Sequence, residues 1–371
     1  MTKTHRILQL VPSFAGGGAE TQLAYLCAGL VQRDWLIEVL HLAGGPNTER
    51  FHSSGATIHT VRVRGNYDPS IFWRLRRTIR DLEPDLVQTW IPMMDTLGGI
   101  SARIQGVPWV ISERSSPLMF PRTLKLRLRE HVAFGASAVV SNSAGGDAYW
   151  ATVLPIRVRR AVIGNALPLD EIDAARPTAE IGFGLDDSRP LILYLGRFNV
   201  DKNIANLVYA LKRVIAESDA VALLCGVGPE LEPIRQRISD AGIAARVVAP
   251  GFVPRPIPLL KRASIAISLS RYEGMPNSSM EAAAAGCPQI LSDIPAHRAI
   301  FDRSTTEFVN VNSASSASEA MLSVLRNPEA AAQRAAAAQE RSRAWSIANL
   351  TSRYEQIYER VLNPSERSRS F

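Results

Sequence analysis

Residues Leu191–Asn203 read LILYLGRFNVDKN. Five apolar residues in a row, Leu191–Leu195, without polar alternation form the pattern of a strand buried on both faces, as in a parallel sheet. Gly196 ends the run, Arg197 follows, and Lys202 stands where a helical pattern begins. What precedes this stretch gives it weight. Leu167–Pro190 (LPLDEIDAARPTAEIGFGLDDSRP) is rich in Pro, Asp and Gly, so the strand starts afresh after a break.

The same alternation runs on both sides of the break. Downstream, strands are expected at Ala220–Cys225, Arg246–Val248, Ala263–Leu269, Gln289–Leu291 and Glu307–Val309, with helices between them. Late helices are expected at Pro328–Arg343 and Ile347–Val361, before a polar, basic tail at Asn363–Phe371 expected to fray. Upstream, strands are expected at Ile7–Val11, Ile37–Leu42, Thr57–Val63, Leu86–Trp90, Trp109–Ser112 and Ala138–Ser141. Helices at Glu20–Gln32, Ile71–Leu82, Thr96–Gln105 and Thr123–Gly135 separate them. This is the βαβ rhythm of an open parallel sheet covered on both faces. Two such α/β halves are therefore expected: residues 1–166, a linker at 167–189, residues 190–345, and a last helix with its tail at 346–371. The length of 371 residues also exceeds that of one core of usual size.

Ligands of open parallel sheets sit outside the carboxyl ends of the strands, and the chemistry-bearing residues fall just after strands. Arg197 offers a planar fork of donors and Lys202 a mobile point charge, and both suit a diphosphate. Two surface cations at a strand end is the bland alternative. After the strand at Ala263–Leu269 comes Arg271-Tyr-Glu273-Gly-Met-Pro-Asn-Ser-Ser-Met-Glu281. Asn277 is a natural N-cap, which would leave the N–H groups of Ser278, Ser279 and Met280 open to an anion. Glu273 and Glu281 flank that socket, where sugar and ribose hydroxyls would be their donors. Glu281 would otherwise simply complement the helix dipole, with Glu273 a plain loop carboxylate.

The first loop, Ser13-Phe-Ala-Gly-Gly-Gly-Ala-Glu20, opens a helix after the first strand. It suits a phosphate and equally a tight turn. It lacks G-x-G-x-x-G and Gly-Lys-Ser/Thr, and the second strand does not end in an acid, which disfavours a dehydrogenase or a P-loop NTPase.

Glu273 and Glu281 form an E-x7-E pair in EGMPNSSMEAAAAG, which closely resembles the signature of the family-four (GT4) retaining glycosyltransferases of GT-B fold. The resemblance extends in order through Gly17–Glu20, Pro84–Trp90, Val162–Asn165, Gly196-Arg197 with Lys202, Gly226–Glu230 and Gly251–Pro254. It implies two Rossmann-like domains facing a cleft, with the last helix crossing back onto the first. It implies that Arg197 and Lys202 bind a donor diphosphate, Glu281 the ribose, and Glu273 the transferred sugar. The backbone of Gly274, Met275 and Pro276 would line the sugar pocket, with Asn277 and Ser278 at the helix start. Gly226, Phe252 and Val253 would lie on the donor, the latter two near the base, and Gly17 would face the phosphates from the other domain. Trp90, Asp95 and Arg114 are the candidate acceptor contacts, with a packed core tryptophan the alternative for Trp90. The family often has histidines where this chain has Gln88 and Trp90, and a proline at Gly164, which leaves the acceptor open. No metal or cofactor is expected, since cations fill the metal's role and no Asp-x-Asp pair occurs. A degenerate donor-binding scaffold and a sugar-nucleotide epimerase are the rival functions.

Composition bounds the rest. The 46% hydrophobic and 21% charged residues are those of a folded chain, and no stretch reaches the roughly 20 apolar residues of a membrane span. The opening apolar run is expected to be a strand rather than a secretory signal. Cys27, Cys225 and Cys287 have no metal-ligand spacing and are expected to be reduced core residues of a cytoplasmic protein. The net charge of +7 gathers in the first half, at Arg74, Arg76, Arg77 and Arg80, at Arg122, Lys125, Arg127 and Arg129, and at Arg157, Arg159 and Arg160. Solvated helix faces are one reading. An anionic substrate or the anionic inner face of the plasma membrane, with a lipid-linked acceptor, is the other. Nucleic acid ranks lower, because no stacking aromatics interleave with the arginines.

Overall fold

The apolar runs form two all-parallel sheets in the computed structural model, which describes residues 5–15, 17–114 and 123–363. Arg122, residues 115–121 and the tail from 364 lie outside the described residues. One unit takes in the described residues of Met1–Ala166 and Trp345–Phe371, the other Leu167–Ala344.

In unit 1, β1 (Arg6–Leu10), β2 (Leu36–His41), β3 (Thr57–Thr60), β4 (Leu86–Trp90), β5 (Trp109–Glu113), β6 (Ala138–Ser141) and β7 (Arg159–Val162) pair in the order β3-β2-β1-β4-β5-β6-β7. Apolar clusters lie on both faces of the sheet, around Leu23, Trp90 and Tyr358 on one and Leu75, Trp109 and Trp150 on the other. The strand β7 is absent from the sequence expectation. It is a half-buried edge carrying Arg159 and Arg160, so it lacks the apolar run that marks its neighbours. The last helix, Ile347–Leu362, buries Leu350, Tyr354, Ile357 and Tyr358 in unit 1. Its approach to the helix Gly18–Val31 is close enough that a Cβ on Gly29 would stand 2.0 Å from Thr351 Oγ1. Only glycine fits there.

In unit 2, β8 (Leu191–Leu195), β9 (Val221–Cys225), β10 (Val247–Gly251), β11 (Ile265–Ser268), β12 (Gln289–Ser292) and β13 (Glu307–Val309) pair in the order β10-β9-β8-β11-β12-β13. The strands β8, β9 and β11 bury every residue but Leu195. Residues 167–189, expected as a linker, fold onto this unit: Ile172, Ile181 and Leu185 are buried, and Thr178 N–H donates to Pro258 O at 3.1 Å. In each sheet the strand order reverses beside its first strand, between β1 and β4 and between β8 and β11. Such switch points are where open parallel sheets leave a crevice for a ligand. No helix among the described residues is long and apolar enough to cross a membrane.

Candidate functional site

The carboxyl ends of β8 and β11 meet at the switch point of unit 2, and a charged cluster stands there. Lys202 ends a short 3-10 turn, Val200–Lys202, after β8. Its Nζ lies 2.6 Å from Glu273 Oε1 and 3.6 Å from Asp201 Oδ2. Ser270 Oγ donates to the same Glu273 oxygen at 2.7 Å, which fixes the carboxylate above the end of β11. The loop itself is clamped: Arg271 N–H donates to Asp201 O at 2.8 Å, and the Arg271 guanidinium reaches Asn312 Oδ1 at 2.7 Å and Asn203 Oδ1 at 3.0 Å. Asn203, buried and left-handed at φ 57°, makes the turn into the helix Ile204–Glu217. Arg197 is exposed, with its carbonyl accepting from Tyr194 Oη at 2.9 Å.

The helix Asn277–Ala284 opens beside this cluster. Asn277 was expected as its N-cap, and the structure corrects this by one residue. Pro276 (φ −84°, ψ 75°) is the cap, and Asn277 N–H turns back to Met275 O at 3.0 Å. Met280 N–H donates to Pro276 O at 3.0 Å. Among the described residues the first-turn N–H groups left without a backbone partner are those of Ser278 and Ser279, so the anion socket survives with Met280 removed from it. Gly274, Met275 and Glu281 are half-buried around this helix start, and Pro276 is buried.

Two further loops border β8. Gly226 N–H donates to Gly251 O at 2.8 Å, so the ends of β9 and β10 are stitched together. A Cβ on Gly226, at φ +145°, would stand 1.7 Å from Gly196 O, which gives this glycine a packing reason whatever it binds. Phe252 beyond β10 is exposed and Val253 is half-buried.

In unit 1 the candidates divide. Gly17 caps the helix Gly18–Val31, but the buried Glu20 carboxylate lies over it, 2.5 Å from where a Cβ would be. A carboxylate already at that helix start opposes a phosphate there. Trp90 and Asp95, expected as acceptor contacts, are core residues with no exposed surface. Trp90 Nε1 donates to Gln9 Oε1 at 2.8 Å. Asp95 is paired with Arg129 at 2.7 Å and accepts from Thr89 Oγ1 at 2.6 Å. Burial pushes its carboxyl from 3.8 up to about 6, against the pull of Arg129. Arg129, grouped above with surface cations, is buried with it. Arg114 is only half-buried. Its guanidinium lies 4.7 Å above the Trp90 ring and donates to Ser112 Oγ at 3.1 Å, Asn165 Oδ1 at 3.0 Å and Tyr354 Oη. Directly after Trp90 in the chain, Ile91 takes φ 74°, ψ 140°, a conformation costly for a β-branched residue.

The sequence reading missed Ser270 and His297. Ser270 directly precedes the Arg271–Glu281 motif, and its place between a strand end and a carboxylate was the available signal. His297 is fully buried. Its Nδ1 donates to Ser292 O at 2.8 Å, because a carbonyl can only accept. Burial lowers its pKa, and its Nε2 has no partner among the described residues.

Comparison with known proteins adds to this geometry. A sequence model of the family described as "Glycosyltransferase Family 4" matches residues 16–171, and one described as "Glycosyl transferases group 1" matches residues 176–341. A 2-deoxystreptamine N-acetyl-D-glucosaminyltransferase of Streptomyces fradiae is 28% identical over 76% of this chain and 79% of its own. An N-acetyl-alpha-D-glucosaminyl L-malate synthase of Bacillus anthracis is 30% identical, but the match spans only 29% of this chain and 28% of that relative's length. HepE of Anabaena, solved with UDP-glucose, superposes with a TM-score of 0.82 at 19% identity, covering 96% of this chain and 99% of that one. Sucrose-phosphate synthase of Thermosynechococcus elongatus gives 0.81 at 17% identity, covering 97% and 100%. At these identities the solved structures share the fold.

Proposed function

Because the chain belongs to the family-4 glycosyltransferases of GT-B fold, we propose that it moves a sugar from a nucleoside diphosphate to an acceptor with retention of the anomeric configuration. The observation that carries this is the cluster at the β8–β11 switch point, where Lys202, Glu273 and Ser270 stand together beside the helix start at Asn277. Breaking the bond from the anomeric carbon to the phosphate oxygen builds positive charge on the sugar ring and negative charge on the departing diphosphate. Lys202 has three donor hydrogens, so phosphate oxygens can join Glu273 around it. Arg197 is exposed and can reach out to the same group. The Ser278 and Ser279 N–H groups add the helix dipole.

In this reading Glu273 accepts from a hydroxyl of the transferred sugar, and Glu281 accepts from the ribose. The backbone at Gly274–Pro276 lines the sugar, and Phe252 and Val253 border the base. No metal enters the scheme, because the two cations and the helix start carry the leaving charge. UDP-sugars lead the donor classes, since a fold relative was solved with UDP-glucose. The acceptor is proposed to be lipid-linked, in polysaccharide or glycolipid synthesis, with the protein working at the cytoplasmic face of a membrane. The basic surface of unit 1 supports that.

Calorimetry with UDP-, GDP- and ADP-sugars tests the donor site. One nucleotide class is expected to bind and to be released as diphosphate once acceptor is supplied. No binding across the panel would falsify the reading. Product NMR would show the same anomeric configuration as the donor, and an inverted linkage would remove the claim of retention.

A further inference from the structure

Three helices of unit 1, Ser70–Leu82, Pro92–Ile104 and Leu124–Ala133, lie side by side over one face of its sheet. Their inner faces are ordinary core: Ile71, Leu75 and Ile79 on the first, Met94 and Ala102 on the second, Val132 and Ala133 on the third. Their outer faces are not ordinary solvated surface. Trp73 is 64% exposed and Leu124 82% exposed, and Leu128, one turn beyond Leu124, is exposed as well. Tyr67, in the loop leading into the first helix, is 85% exposed. Lys125 ties that loop to the third helix, its Nζ 3.2 Å from Tyr67 Oη and 4.5 Å from the ring centroid. Tyr67 and the third helix therefore belong to one region, and Arg74, next to Trp73 on the first helix, lines the same hollow as Tyr67.

Cations outnumber carboxylates in this region, where Asp68 beside Tyr67 accepts from Arg64 N–H at 3.0 Å and Glu83 is exposed at the end of the first helix. Arg74 and Arg77 follow Trp73 on the exposed side, Arg64 precedes Tyr67, and Arg127 stands between the two leucines. The only exposed carboxylate on the three helices is Asp81, and Arg77 and Arg80 already hold it at 3.3 Å and 3.1 Å. Glu130 accepts from Tyr149 Oη. Arg76 and Arg129, which the sequence grouped with these cations, do not contribute: Arg76 stacks on Phe72 and Trp73, and Arg129 is buried.

We propose that this outer face docks on an anionic lipid surface, with Trp73, Tyr67, Leu124 and Leu128 entering the headgroup layer and the flanking Arg and Lys side chains meeting lipid phosphates. Basic residues among bulky apolar and aromatic ones are the composition that lies in a membrane interface. Indole and phenol rings, with one apolar body and one polar tip, prefer that depth. Leu124 and Leu128 decide against nucleic acid, which offers nothing to a pair of outward leucines, and the excess of Arg and Lys over Asp68, Asp81 and Glu83 selects anionic lipid. The inference rests on the proposed membrane-linked acceptor for its purpose, though the surface is argued from its own residues.

The test is co-sedimentation of the full chain with vesicles of phosphatidylcholine alone and of phosphatidylcholine mixed with phosphatidylglycerol. Wild type is expected on the mixed vesicles and not on the neutral ones. The pair Arg74→Gln/Arg77→Gln should weaken partitioning at least about tenfold. The pair Trp73→Ser/Leu124→Ser should weaken it further in high salt, where charge is screened. Absence of wild-type binding overturns the proposal, as does binding that neither pair changes. Both pairs are surface changes, so nucleotide-sugar binding should persist in them. Loss of donor binding in wild type itself would count against the transferase reading and leave the vesicle result to stand alone.

Discussion

Each unit holds a cation between two carboxylates, and the two sites come to opposite ends. In unit 1, Arg129 spends its fork on Asp95 and Glu113 at 2.7 and 2.8 Å, stacks 4.9 Å from the Trp150 ring, and no member of the trio is more than 5% exposed. In unit 2, Lys202 stands between Glu273 and Asp201 with side chains 14–17% exposed, at a strand end where the sheet order reverses. The first cluster is closed by packing and has no room for a ligand. The second is a point charge with donors to spare, facing the place where parallel sheets take ligands. Residue type does not separate structure from site here. Burial does.

The comparison breaks most sharply at Arg129. Arg129→Met removes the cation that bridges two buried carboxylates, a change that costs about 3–5 kcal/mol. The six tryptophans (Trp35, Trp73, Trp90, Trp109, Trp150 and Trp345) all belong to unit 1, so tryptophan fluorescence reports this unit alone. Its urea midpoint should fall steeply in this variant. An unchanged midpoint would mean the trio adds nothing that packing does not already supply. Lys202→Ala is the mirror experiment. Transfer should drop at least about tenfold, since a donor to a developing charge is lost, while the fluorescence midpoint stays put. A change in rate of less than twofold would reduce Lys202 to a tether for Glu273.

Sequence reading went furthest where one element explains itself. Leu191–Leu195 and Leu86–Trp90 match their strands residue for residue: the first is an unbroken apolar run, as a strand buried on both faces favours, and the second buries Gln88 and Thr89 among its apolar residues. It failed where the explanation lies elsewhere in the chain. Asp95 looked like a ligand contact because nothing nearby announces Arg129, its partner 34 residues on. Trp90 left two readings open until Gln9 was seen to accept its N–H. Asn277 has the side chain of an N-cap, yet the turn from Met275 puts Pro276 in that role, and a one-residue shift of this kind is set by loop geometry. Arg197, Lys202, Glu273 and Glu281 were legible as candidates, since each follows a strand or opens a helix. Ser270 and His297 were not, because a serine after a strand and a lone histidine are ordinary until their partners are known.

The smallest effect sharpens the contrast most, because it uses pH to ask whether the closed cluster is fully charged. Burial raises the Asp95 carboxyl from 3.8 to about 6, since two carboxylates around one guanidinium leave an unbalanced negative charge away from water. A folded-state pKa above the unfolded one means the native state binds the extra proton, so this group's contribution is complete below about pH 3.8 and is lost as pH rises through about 6. Asp95→Asn removes the titration while keeping an oxygen for the Thr89 hydroxyl. The wild-type midpoint should therefore decline, relative to that of the variant, between about pH 4 and about pH 6.5. His297 titrates in the opposite sense, losing stability as pH falls below 6.5, but it lies in unit 2, outside the reach of the tryptophan signal. Parallel pH profiles for wild type and variant would show that Arg129 keeps Asp95 ionised throughout. The closed cluster would then be as fully charged as the open one, and burial alone would distinguish them.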